Sequence, residues 1–258
     1  MGNKITALLF LSMVLLFSGA CTNDELTPYY KEQTPAKAVI RGYSALADSL
    51  QIKADGKIIK FGTKDAFTKK VSIDYDFVFY EEGVKNIEIS NKVTKEIIHT
   101  YKLTKQNTVD TLSFFVRPNL YVDEVLSEKP GVVTKTGNTG FKFIFPTMNQ
   151  YSKSGYNGKL DGIMRKVTGE VLGVAKNIGN SGYSDFIEVE ASLPPIIRME
   201  LVKSGTTESY IKDKKVNVTM LMLANKSGLI VLDEKKNADG AFSNVEGTLN
   251  MVDYFDFK

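Results

Sequence analysis

The chain has 258 residues, 43% of them hydrophobic and 24% charged, with a net charge of +3. That balance excludes wholesale disorder, and with no concentrated basic stripe it excludes a nucleic-acid partner. Cys21 is the only cysteine, so no internal disulfide can form and each folded unit must be held by its own apolar core.

Residues 1–21 have the order of a secretory leader: Lys4 near the start, an apolar run over 5–17 broken by Thr6 and Ser12, then Ser18-Gly19-Ala20 before Cys21. A run of about thirteen is too short to stay in a bilayer, where about twenty apolar residues are needed. The stretch Phe17-Ser18-Gly19-Ala20-Cys21 resembles the lipobox of bacterial lipoproteins, with Ser18 where leucine is usual. The resemblance implies a signal peptide over 1–20, acylation of Cys21, and a covalent lipid there with no other cofactor. It also implies a membrane partner, since two or more acyl chains, at about 0.8 kcal/mol per buried CH₂, anchor stably. The alternative is an ordinary secretory signal and a soluble periplasmic protein.

Thr22-Asn23-Asp24-Glu25 resembles the acidic export tag of Bacteroidota-type surface lipoproteins. It implies that Asp24 and Glu25 direct the chain to the outer face of the outer membrane; the alternative is the periplasmic face. Residues 21–36, with Pro28 and Pro35 and no periodicity, read as the acylated terminus and a flexible stalk.

Between 37 and 117 apolar and polar residues alternate in short runs about ten residues apart, the signal of half-buried strands. Leu50-Gln51-Ile52-Lys53 leads through Asp55-Gly56 into 58–61, and such a dipeptide predicts a tight hairpin with positive φ at both positions. Further strands are predicted at 71–75, 77–80, 84–89, 97–103 and 109–116. About seven strands without a helical period point to an antiparallel immunoglobulin-like sandwich. The order of elements over 36–117 resembles a small domain of unknown function carried by bacterial envelope proteins.

Arg117-Pro118-Asn119 breaks the pattern and sets the predicted boundary of a second β-sandwich, 118–258. Residues 141–145 alternate so that Phe141, Phe143 and Phe145 share one face. Strands are expected at 167–174, 185–191, 196–202 and 215–224, a hairpin from the last into 229–232, and closing strands at 241–245 and 249–257. Pro194-Pro195 cannot donate to a ladder and marks an edge or crossover. The fold class is therefore all-β, two antiparallel sandwiches after a leader and stalk.

Catalytic signals are weak. The one histidine, His99, shares a strand face with Tyr101, and nothing nearby in the chain suggests the acid and nucleophile that a triad would need. One histidine and no spare thiol argue against a transition-metal site, and segments 74–76 and 237–240 are too poor in oxygen ligands for calcium. Asp123-Glu124 and the pair Glu188 and Glu190 are the carboxylates a glycoside hydrolase would need, though alternation around Val189 equally describes a solvated face. The loop 149–158, with Tyr151, Tyr156 and Asn157, has the Tyr/Ser/Gly/Asn composition of adaptable recognition loops, and 177–183, ending in Tyr183, is similar. There is no tryptophan to offer a sugar a flat platform.

The function these features predict is a lipid-anchored, non-catalytic binding, adhesion or scaffold module with an envelope protein or glycan partner. The alternatives are a polysaccharide hydrolase using paired carboxylates, or a fimbria-like subunit in which 123–136 is a donated strand.

Overall fold

The computed structural model describes residues 32–80 and 83–257, so Cys21, Asp24 and Glu25 lie outside the described residues. It is all-β, with four four-stranded sheets arranged as two sandwiches. In the first sandwich one sheet has the order β4-β1-β7-β8, formed by β1 (Gln33–Ser44), β4 (Lys69–Tyr80), β7 (Val109–Arg117) and β8 (Leu120–Asp123). The facing sheet, β3-β2-β5-β6, contains β2 (Leu50–Ala54), β3 (Lys57–Ile58), β5 (Val84–Asn91) and β6 (Ile97–Thr104). Asp55 and Gly56 form the predicted hairpin turn with φ of 46° and 77°, both positive as the twist of the two strands demands. Ile40, Ile52, Ile89 and Phe114 fill the space between the sheets. Gly42 is required there, because a Cβ would run into the Phe114 ring.

The second sandwich pairs the sheet β12-β9-β15-β16 with the sheet β11-β10-β13-β14. The first holds β9 (Asn138–Ile144), β12 (Ile187–Glu190), β15 (Ser227–Lys236) and β16 (Phe242–Asn250); the second holds β10 (Leu160–Lys166), β11 (Val171–Ile178), β13 (Ile196–Lys203) and β14 (Asn217–Leu221). Phe141, Phe143 and Phe145 enter the core together, as their alternation predicts. Each contributes about 1.5–3 kcal/mol on burial.

Several expectations are corrected. One sheet of each sandwich is mixed, because β1 pairs β7 and β9 pairs β15 in parallel, while the other two are wholly antiparallel as expected. The stalk ends earlier than residue 36, since β1 begins at Gln33, with Pro35 opposite Val78. The Lys37 amide donates to Thr108 O across the β7 side, so Pro35, two residues earlier, turns its donor-less nitrogen to that side before β7 begins. The break at Arg117-Pro118-Asn119 is a tight turn with Asn119 at φ 62°, and it keeps β8 in the first sheet beyond the predicted boundary. Beyond Asp123, which ends β8, residues 124–136 hold a 3-10 turn (Val125–Ser127) and no strand. The expected strand 167–174 straddles the β10–β11 hairpin, where Gly169 at φ 97° turns the chain. Strand β14 leads to β15 by a crossover between sheets, not a hairpin. After β16 the chain leaves the ladder in a short 3-10 turn (Met251–Asp253) instead of forming a last strand.

A third core joins the sandwiches. Phe115, Leu120, Val122 and Val125 pack with Ile144, Leu229, Val231, Leu249 and Met251. Phe114 and Val116 face the first core while Phe115 faces outward, and Ile230 and Leu232 face the second core while Leu229 and Val231 face outward. Both strands are therefore apolar on both faces. Leu249 reaches this side through a β-bulge in the β15–β16 ladder between Val231 and Asp233. Tyr43 stacks on Phe115, with ring centroids 6.0 Å apart, and the Tyr254 ring meets both edge-on. The result is a four-layer stack with three interleaved cores.

Candidate functional site

The most heavily constrained polar cluster grows from two adjacent acids near the end of β15. Strand alternation sends Asp233 and Glu234 to opposite faces, and both are buried. Asp233 turns towards the first sandwich, where Arg117 donates to it at 2.5 Å and Lys235 at 2.6 Å. Thr147 donates its hydroxyl to Asp233 at 2.9 Å and accepts the Glu234 amide at 2.8 Å. Opposite charges and hydrogen bonds offset the cost of burying the carboxylate.

Glu234 points to the loop 149–158. Its oxygens accept the amides of Asn149 (3.0 Å), Tyr151 (2.7 Å) and Ser152 (2.9 Å), and the hydroxyls of Ser152 (2.6 Å) and Tyr210 (3.0 Å). Burial pushes the Tyr210 phenol well above its usual range, and the neighbouring Glu234 charge adds to this. Within the loop Asn149 donates its side-chain amide to Tyr156 O at 2.6 Å, and Ser154 donates to the Asn149 side chain. Asn149 and Lys153 hold left-handed backbone conformations, at φ 69° and 49°. This loop is a clamped structure, not a free connection.

The clamp positions three of the predicted residues. The Tyr156 hydroxyl donates to Lys159 O at 2.9 Å, and Lys203 Nζ lies 5.7 Å from its ring centroid. Tyr151 is half-buried with Lys236 Nζ 5.5 Å from its ring centroid, and Asn157 is exposed. Beside Tyr156 opens a cleft of about 660 Å³ lined by Tyr210, Lys203, Glu208, Ser209 and Lys212 among others. The Ser209 hydroxyl is buried there with no partner among the described residues. Hydrogen bonding to Lys203 holds the Glu208 carboxyl below its usual range.

Tyr183 is not part of this group. It lines a separate cleft of about 400 Å³ between the sandwiches, with Tyr121, Asp123, Glu124 and Asn180. Its hydroxyl is buried without a partner among the described residues, and burial raises its pKa.

The carboxylate candidates have structural partners. Glu188 accepts the amides of Thr134 (3.1 Å) and Lys135 (2.8 Å), the Thr134 hydroxyl (2.8 Å) and the Asn138 side chain (2.9 Å). The Lys135 and Thr134 amides bring its pKa down to about 2, so it is fully ionised at neutral pH and cannot serve as a general acid. Asp123 accepts from Tyr101 at 2.5 Å and from the Glu124 amide at 2.8 Å, and His99 Nε2 lies 3.6 Å away. The His99 ring stacks on Tyr121 at 4.6 Å and meets Tyr101 edge-on at 4.5 Å. The fold thus brings an acid to the histidine that the chain order kept apart, but no serine or threonine hydroxyl is hydrogen-bonded to that ring among the described residues. No three His, Cys, Asp or Glu among those residues gather to hold a metal ion. None of their helices is long and apolar enough to cross a membrane, which says nothing of strands.

Asp233, Glu234 and Tyr210 are not among the site residues expected from the sequence, and Arg117 figures there only at the predicted boundary. The available signal was Asp233-Glu234 directly after the apolar run 229–232, which places two acids in a buried strand.

The fold and these clefts define an all-β, two-sandwich protein. No family model matches the chain, and no curated protein matches it. Among solved structures it is similar to a family 41 carbohydrate-binding module from streptococcal virulence factors, described for alpha-glucan recognition, at 13% identity and a TM-score of 0.24. It is also similar to a family 26 carbohydrate-binding module of Amy13K from Eubacterium rectale, in complex with maltoheptaose, at 9% identity and a TM-score of 0.23. Each match covers 83% of this chain and 97% of the other. Likeness at this level carries no conclusion about a ligand.

Proposed function

We propose that the chain is an outer-membrane lipoprotein, acylated at Cys21 and facing outward through the Asp24-Glu25 tag, which works as a non-catalytic binding module for an envelope protein or glycan. The binding part of this reading rests on one observation. Five hydrogen bonds to the buried Glu234 fix the loop beside the cleft of about 660 Å³. A rigid polar and aromatic rim spares a ligand the entropic cost of ordering the loop. Lysines, hydroxyls and the Tyr156 edge offer donors to sugar hydroxyls or to backbone carbonyls. The hydrolase alternative loses its best-defined acid, because Glu188 is consumed in fastening the 134–138 segment.

Two measurements test the proposal. Palmitate labelling that is sensitive to globomycin should disappear in Cys21→Ala, and protease added to intact cells should digest the body. Retention of the purified chain in gels cast with soluble starch, xylan or mannan, or on washed outer membranes, should fall at least tenfold in the pair Tyr156→Ala and Lys212→Ala. Undiminished retention by that pair would remove the cleft from the reading.

A further inference from the structure

Strand register shows where several of the large exposed apolar side chains lie. In the second sandwich Leu221 is level with Ile196, and the Met222 amide donates to Pro195 O at 2.9 Å. Leu193, Leu221 and Leu223, which are 93%, 68% and 62% exposed, therefore occupy neighbouring crossovers at one end. Asn225 donates to Asn138 O at 2.6 Å, which puts the starts of β9 and β15 at that same end. In the first sandwich Gln33 is level with Tyr80, and Lys37 with Val109. Tyr80, Val84 and Val109 are all exposed and cluster where β1 begins.

Two contacts relate these ends. Arg117, closing β7, meets Asp233 near the close of β15. Further back, Glu128 meets Lys142, which is level with Leu229. Backward along β7 is thus backward along β15. The starts of β1, β7, β9 and β15 lie at one end of the four-layer stack, and six of the fourteen large exposed apolar residues among the described ones lie there, whereas Val93 and Ile97 sit at the opposite end of the first sandwich. From Cys21 to Gln33 the chain reaches at most about 40 Å at about 3.4 Å per residue. Single exposed leucines need no explanation, but apolar groups gathered at one end mark a contact surface.

We infer that this end is a membrane-contact surface that lies against the bilayer holding the Cys21 lipid, so that the β5–β6 turn of the first sandwich faces away from it. The inference rests on the lipid anchor of the proposed function: β1 begins at the same end of the stack as Leu193, Leu221 and Leu223. The partner is the acyl–headgroup boundary, which accepts leucine and tyrosine side chains.

The chain has no tryptophan, so single-tryptophan variants report position cleanly. The mature chain from Cys21 onward is coupled through that thiol to maleimide-phosphatidylethanolamine in vesicles containing brominated phosphatidylcholine. Leu193→Trp and Leu223→Trp should shift to the blue on coupling and be quenched at least twofold more than Ile97→Trp. Ile97 is 55% exposed at the opposite end of the first sandwich. Equal quenching at the two ends, or stronger quenching at residue 97, would overturn the orientation. Coupling by chemistry bypasses cellular acylation, so failure of the anchor itself is read separately, as missing palmitate label at Cys21.

Discussion

Glu234→Gln is the sharpest perturbation the structure offers, because it keeps the shape of the side chain and replaces one acceptor with a donor. One Glu234 oxygen takes the amides of Tyr151 and Ser152; the other takes the Asn149 amide and the Ser152 and Tyr210 hydroxyls. With NH₂ at the first position two backbone amides face a donor; at the second the Asn149 amide does, while the two hydroxyls can turn to accept. A hydrogen bond to a carboxylate is worth about 1.5–3 kcal/mol, and the orphaned groups remain buried. The expected loss is about 3–5 kcal/mol. For a chain of this size about 1 kcal/mol moves Tm by about 2–4 °C, so the variant should melt about 6–20 °C below wild type. Hydrogen exchange should locate the damage, with the Tyr151 and Ser152 amides deprotected while those in the first sandwich keep their protection. A Tm within 2 °C of wild type, with unchanged loop exchange, would refute the view that this carboxylate organises the cleft.

Two other outcomes follow from the packing and the charges. Glu188 has a folded pKa of about 2, below its ordinary 4.5, so its stabilisation is complete above the unfolded value and drains away as pH falls from about 5 towards 2. Urea midpoints measured over that range should converge for wild type and Glu188→Gln as the pH drops; a constant gap would show that the four hydrogen bonds do not depend on ionisation. Phe115→Ala empties the middle of the third core and should cost about 3–5 kcal/mol. Calorimetry should then resolve separate transitions for the two sandwiches, whereas a cost under about 1 kcal/mol would mean that the layers are not packed through Phe115.

How much of this was readable in advance depended on the range of each interaction. Period-two alternation, the Asp55-Gly56 turn and the shared face of Phe141, Phe143 and Phe145 are properties of a few consecutive residues, so the all-β class and much of the strand list followed from local patterning. The unbroken apolar runs 114–116 and 229–232 belong to strands buried on both faces. Which two runs would face each other was not readable, because nothing local distinguishes an outer face that meets solvent from one that meets another sheet. The turn at 117–120 resembled a domain boundary for the same reason: its role shows only when Leu120 and Val122 are seen against Leu229 and Val231.

The chemistry of the site divides in the same way. The sequence by itself determined which residue types were present and that Asp233 and Glu234 lie on opposite faces, since adjacent strand residues must. Only the tertiary structure decided that Arg117, 116 positions away, neutralises one acid, and that a loop 85 positions away closes over the other. It also separated Tyr183 from Tyr156 and carried Asp123 to His99. A buried carboxylate is tolerated only where enough donors converge on it, and that convergence belongs to the packed layers, not to any single stretch of chain.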